Sequence, residues 1–98
     1  MGKYLLLWEI DSSRMPVDAK ERGAAWSLML EMVKQDLKSG TEKDWGGFVG
    51  ETNGYSIMEG NEVEVASLCM QYVPYVQFKV HPIGTVAQVG EIIKKMSG

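Results

Sequence analysis

An unbroken apolar run opens the chain. Residues 3–11, KYLLLWEID, hold bulky side chains between Lys3 and Asp11. The length and aromatic content predict a strand buried on both faces, and therefore a central one. Turn residues follow in Asp11-Ser12-Ser13-Arg14-Met15-Pro16, where Pro16 suits a first helical turn and Asp18 can join its N-terminal hydrogen bonding. Over 17–39 the period changes. Trp26, Met29, Leu30, Val33 and Leu37 recur at steps of three and four and share one helical face, with Trp26 expected in the core. Lys34 and Lys38 complement the helix dipole, and Gly40 is a natural stop.

Residues 43–51 and 54–59 read as two strands around Asn53-Gly54, a strong hairpin signal because a type I′ turn needs positive φ at both central positions. Gly46, Gly47 and Gly50 in the first of these strands mark a bulge, a bend or a close approach. A second helix starts at Asn61 with Glu64 three residues on, as in a capping box. Its apolar stripe is Val65, Leu68, Cys69 and Tyr72, and Pro74 forbids continuation. Residues 75–83, YVQFKVHPI, alternate cleanly as a half-buried strand, and Pro82 near the end suggests an edge position. A last helix starts at Thr85, with Gln88 completing a second capping box and Val89, Ile92, Ile93 and Met96 on one face.

The order is β-α-β-β-α-β plus a C-terminal helix. Short connections suit an α+β, ferredoxin-like antiparallel sheet of spatial order 4-1-3-2, in one domain spanning 1–98. Both crossover helices then cover one face. On the first strand either Tyr4, Leu6, Trp8 and Ile10 or Leu5, Leu7 and Glu9 lie on the bare face, and both sets are mostly apolar. A second copy of the chain is the expected cover, which makes a homodimer the structural expectation.

Composition removes several function classes. Thirteen acidic and ten basic side chains leave a net charge of −3, against the basic excess of phosphate-neutralising nucleic-acid binders. No apolar run approaches the ~18 residues of a membrane span, and Tyr4–Trp8 is too short for a signal-peptide core. One cysteine, Cys69, and one histidine, His81, exclude an internal disulfide and any multi-cysteine or multi-histidine metal site within a chain. A cytoplasmic protein using no metal or other cofactor is expected.

The segment Gly54-Tyr55-Ser56-Ile57-Met58-Glu59, the helix after it, and Tyr75 through Ile83 resemble a small family of uncharacterised prokaryotic domains. That group is similar to the dimeric α/β-barrel superfamily, in which two ferredoxin-like sheets close face to face. The resemblance covers residues 54–83 and implies a dimer with a cavity between sheet and helices, which is expected to take a small apolar or aromatic molecule. The superfamily includes cofactor-free monooxygenases, muconolactone isomerase-like enzymes, stress-response barrels and haem-binding members. No functional residue of these carries over, because no active member's motif matches position by position.

Candidate chemistry therefore comes from the residues. His81, on the polar side of its strand, is a candidate general base, since imidazole titrates near neutral pH; a hydrogen-bonded interface histidine is the alternative. Glu9, Lys79 and His81 can converge on the bare face, because the first and fourth strands are neighbours in this topology; a structural ion pair across a dimer explains them equally well. Arg14, beside Ser12 and Ser13, can hold an anion at the next helix, or stand solvated in its loop. Trp8 and Trp45 are candidate walls for an aromatic ligand, or dimer packing. Trp45 through Gly50 superficially resembles an RNA-recognition strand, but lacks its leading basic residue and second aromatic, and the domain is acidic. A ligand-sensing or structural module is the rival to an enzyme.

Overall fold

A computed structural model of the chain describes residues 2–98. It is an α+β fold of four strands and three α-helices. The strands are β1 (Gly2–Ile10), β2 (Glu42–Gly47), β3 (Asn53–Gly60) and β4 (Val76–Ile83); the helices are α1 (Ala19–Ser39), α2 (Glu62–Met70) and α3 (Val86–Ser97). All strand pairs are antiparallel, in the order β2-β3-β1-β4. Seen from the β4 edge this is 4-1-3-2, the broadly ferredoxin-like arrangement.

Polar residues at the helix starts do what the sequence leads one to expect. Asn61 and Glu64 close a capping box on α2, and Thr85 and Gln88 close one on α3, each pairing an otherwise orphaned backbone N–H. Asp18 caps α1 by accepting from the Glu21 N–H at 3.0 Å. Pro16 therefore lies ahead of the helix and outside its first turn, and a short 3-10 turn at Ser12–Arg14 precedes it. Gly40 ends α1 with φ at +89°, a left-handed conformation that favours glycine.

The hairpin differs from the expectation. Asn53 and Gly54 are not its turn; they pair inside β3 with Glu9 and Trp8 of β1. The chain reverses over Phe48–Thr52, where the Glu51 N–H donates to the Phe48 carbonyl at 3.1 Å and Gly50 takes a φ of +79°. Gly54 serves a close approach instead. A Cβ there would run into the Gly46 carbonyl oxygen and the Trp8 indole.

Leu6 and Met58, both fully buried, fix which side of the sheet meets the helices. Val33 from α1, Val65, Leu68 and Cys69 from α2, and Tyr72 and Val76 complete the core. Trp26 departs from expectation: it is 38% exposed, at the rim of the helix layer with the Arg22 guanidinium 5.8 Å above its ring. Nor is β1 covered on both faces. It is central, yet Leu7 is 36% exposed on the bare side, next to half-buried Leu5 and Ile57.

Every residue of α3 is exposed, including Val89, Ile92, Ile93 and Met96 of its apolar stripe. The long dimension of the chain, 60 Å against 25 and 21 Å, is in keeping with a helix that leaves the body.

Two glycines check this account. Gly54→Ala is expected to cost about 2–4 kcal/mol by overpacking against backbone and indole. Gly23→Ala, in an open position of α1, should gain up to about 1 kcal/mol from helix propensity. Urea unfolding of both variants measures the difference.

Candidate functional site

Between α1 and the sheet lies a cavity of about 260 Å³, just under the usual ~300 Å³ lower end for ligand pockets. Its wall is apolar and aromatic, built from Leu6 and Trp8 of β1, Met29 and Val33 of α1, Phe78 of β4, and Trp45 of β2. All three tryptophans of the chain, Trp8, Trp26 and Trp45, line it. Trp8 and Trp45 stack face to face with centroids 5.2 Å apart and planes 6° apart. The Trp8 Nε1–H donates to the Tyr55 carbonyl at 3.1 Å, which fixes that ring. Ile10, Trp26 and Thr52 border both this cavity and a neighbouring depression beside Pro16 and Arg22.

One carboxyl group is buried in this wall. Glu42, 3% exposed, accepts a hydrogen bond from the Ser56 hydroxyl at 2.8 Å, and Ser56 is equally buried. Local backbone geometry puts it there. The register between β2 and β3 slips at Lys43, so that Glu42 pairs with Met58 and Trp45 with Ser56. Met58 and Ser56 both face the helices, so this bulge turns Glu42 and Trp45, three residues apart, to the same side. Strict alternation would put Glu42 with Asp44 and Gly46.

Burial pushes the Glu42 carboxyl up to about 7; the Ser56 hydrogen bond opposes this and the nearby charge of Asp36 adds to it. Tyr72 also lines the cavity, and its hydroxyl donates to Asp36 Oδ2 at 2.7 Å. Burial first, then that hydrogen bond, push the Tyr72 hydroxyl well above the usual range, so it stays protonated. Burial also pushes the Cys69 thiol up to about 11, which leaves it a neutral core side chain.

The residues singled out from sequence fall in three places. Trp8 and Trp45 are together in the cavity wall. Glu9, Lys79 and His81 share the bare face, where His81 pairs with Leu5 and Lys79 with Leu7. All three are exposed, and among the described residues the only ion pair is Lys34–Glu31, at 3.1 Å. Arg14 is exposed in the 3-10 turn. The hydroxyl and N–H of neighbouring Ser13 both donate to Asp11 Oδ1, at 2.6 and 3.1 Å, so a carboxylate of the chain already takes those donors. Because Trp45 is turned toward the helices, it does not offer its ring to a nucleic-acid base on the bare sheet.

Sequence reasoning missed Glu42, Ser56 and Tyr72 as polar lining groups. The glycines of this stretch mark a bulge, a bend or a close approach, whereas the slip lies ahead of them, one residue after Glu42. No helix among the described residues is long and apolar enough to cross a membrane. Comparison with protein-family models and with curated proteins finds no match.

Since the Glu42 carboxyl is raised from its ordinary 4.5 to about 7, the native chain holds a proton there that the unfolded chain has lost. Stability should therefore fall as pH rises from about 4.5 to 7, by about 3 kcal/mol at most, and level off above. Glu42→Gln keeps the Ser56 hydrogen bond without the charge. Its stability should match the wild type near pH 4 and exceed it by up to that amount near pH 8, in urea titrations across pH.

Proposed function

We propose that the protein is a homodimer built as a two-chain α/β barrel, each copy holding a small apolar or aromatic molecule between its helices and its sheet. The observation that carries the binding half is the cavity itself: an indole-lined space with one buried acid. Apolar pockets with a few convergent polar groups are the usual form of small-molecule sites.

The dimer half is supported by two uncovered apolar surfaces. Leu5, Leu7 and Ile57 occupy the middle of the bare face. The stripe of α3 offers Val89, Ile92, Ile93 and Met96. A helix of 12 residues without tertiary support is marginal in water, so a neighbour that packs on it is to be expected. In a face-to-face dimer Glu9, Lys79 and His81 would rim the interface, where they can pair with the opposite copy.

A cofactor-free enzyme is the sharper form of the proposal. It is favoured by Glu42, whose carboxyl near 7 suits proton transfer at neutral pH. Passive binding or sensing is the alternative.

Native mass spectrometry at micromolar concentration tests the assembly. A dimer is expected, with an extra mass lost on denaturation if the cavity is occupied. Leu7→Glu should yield a monomer with unchanged near-UV circular dichroism. A wild-type monomer throughout that range would overturn the barrel. For the cavity, 2-ethylnaphthalene should quench the tryptophan fluorescence saturably, and a flat titration would overturn binding.

A further inference from the structure

Two carboxyl groups line the cavity, and they differ in kind. Glu51 is exposed at the mouth, in the loop between β2 and β3. Glu42 is buried, and its two oxygens have different surroundings. Oε1 accepts from the Ser56 hydroxyl, whereas Oε2 makes no hydrogen bond to the described residues and is not sealed off, so it stays accessible from the cavity.

We infer that the cavity selects an uncharged, flat aromatic compound carrying a carbonyl group, whose oxygen accepts a hydrogen bond from Oε2 of Glu42 while its ring packs among the indoles of Trp8, Trp26 and Trp45. This rests on the small-molecule reading above and adds the chemistry of the occupant.

Three observations support it. Among the described residues no cationic side chain lines the cavity, and the groups that face Glu42 are acidic or neutral: Asp36 from α1, Cys69 from α2, Tyr72 just after it, Ser56 from β3. An anionic ligand would meet Glu42 and Glu51, with Asp36 behind the wall, while the Arg22 guanidinium lies outside the lining on the far depression beside Trp26, so an uncharged occupant fits best. With no counter-charge, Glu42 keeps its proton up to about pH 7. In that state Oε1 accepts from Ser56 and Oε2–H is left as a donor in an otherwise apolar wall. It is accessible from the cavity, and a ligand that displaces water there keeps this donor paired only by bringing an acceptor of its own. An alcohol can accept as well, but its own hydrogen must then also reach an acceptor, Ser56 Oγ or the Thr52 and Glu51 oxygens toward the mouth. A ketone or aldehyde leaves no polar hydrogen over.

The test compares 2-acetonaphthone with 2-ethylnaphthalene, nearly the same in shape, by tryptophan quenching near pH 6 and near pH 8.5. The readout is the affinity of the ketone relative to the hydrocarbon, which cancels their difference in hydration when proteins are compared. This ratio should be about five- to tenfold higher for the wild type near pH 6 than for Glu42→Leu, the worth of one hydrogen bond. Near pH 8.5, where Glu42 has lost its proton, the wild-type advantage should vanish. Glu42→Gln, whose amide can accept from Ser56 and donate to the ligand, should keep the advantage at both pH values. 2-Naphthoate should bind none of the three proteins.

An unchanged ratio across wild type, Gln and Leu variants, with the hydrocarbon still bound, would overturn this inference and leave the cavity as a plain apolar site. Binding of 2-naphthoate as tightly as the ketone would overturn it too. Failure of both neutral probes to quench the wild type would sink the small-molecule proposal and this inference together. Should the Leu variant not fold, the pH dependence of the wild type against the Gln variant decides the matter.

Discussion

A strand can show one face to the core only if it keeps step with its neighbour, and β2 loses step by a single residue at Lys43. Everything particular to the cavity follows from that slip. It brings Glu42 and Trp45 to the same side. It sets Trp45 against Trp8, and it delivers Glu42 to the Ser56 hydroxyl in a region that water has left. The carboxyl is then largely withdrawn from water and has no cation to pair with among the described residues, and holding its proton is the cheaper state. The glycines around it serve the same arrangement. Gly54 leaves the room that the Trp8 ring fills, and Gly46 accommodates the Tyr55 ring on the opposite face.

Around this departure the fold is regular. The helix-facing side is fixed by Leu6 and Met58, and the capped helices lie where their polar first residues place them. The bare side is mixed: Leu5, Leu7 and Ile57 are partly wet there, beside charged Glu9, Lys79 and His81.

Much of this was legible in the residues, and the exceptions have physical causes. The apolar run of β1, the alternation of β4 and the two capping boxes are strong local signals that the tertiary structure does not override. Asn53-Gly54 carries the chemistry of a tight turn, yet Gly54 is required by Trp8, 46 residues away in sequence, and a local rule has no access to that contact. Trp26 belongs to the apolar face of α1, but the helix presents that residue beyond the edge of the sheet layer, where it borders the cavity mouth. Trp8 and Trp45 stand in the sequence as candidates for a ligand wall or for dimer packing alike, and only the fold shows that they stack beside the cavity. Glu42 does not stand out there, since alternation groups it with solvent-facing Asp44, and only the bulge reveals it.

The exposed C-terminal helix has a consequence for how the chain meets proteases and solvent. Its backbone hydrogen bonds are not shielded by any packed neighbour, so its amides would exchange far faster than those of β1, which is paired on both sides. Lys94 and Lys95 sit in its last turn, open to cleavage by trypsin. A cut there removes no residue of the core and none of the cavity wall. Slower trimming in a concentrated solution than in a dilute one would mark α3 as a segment that a second molecule holds in place.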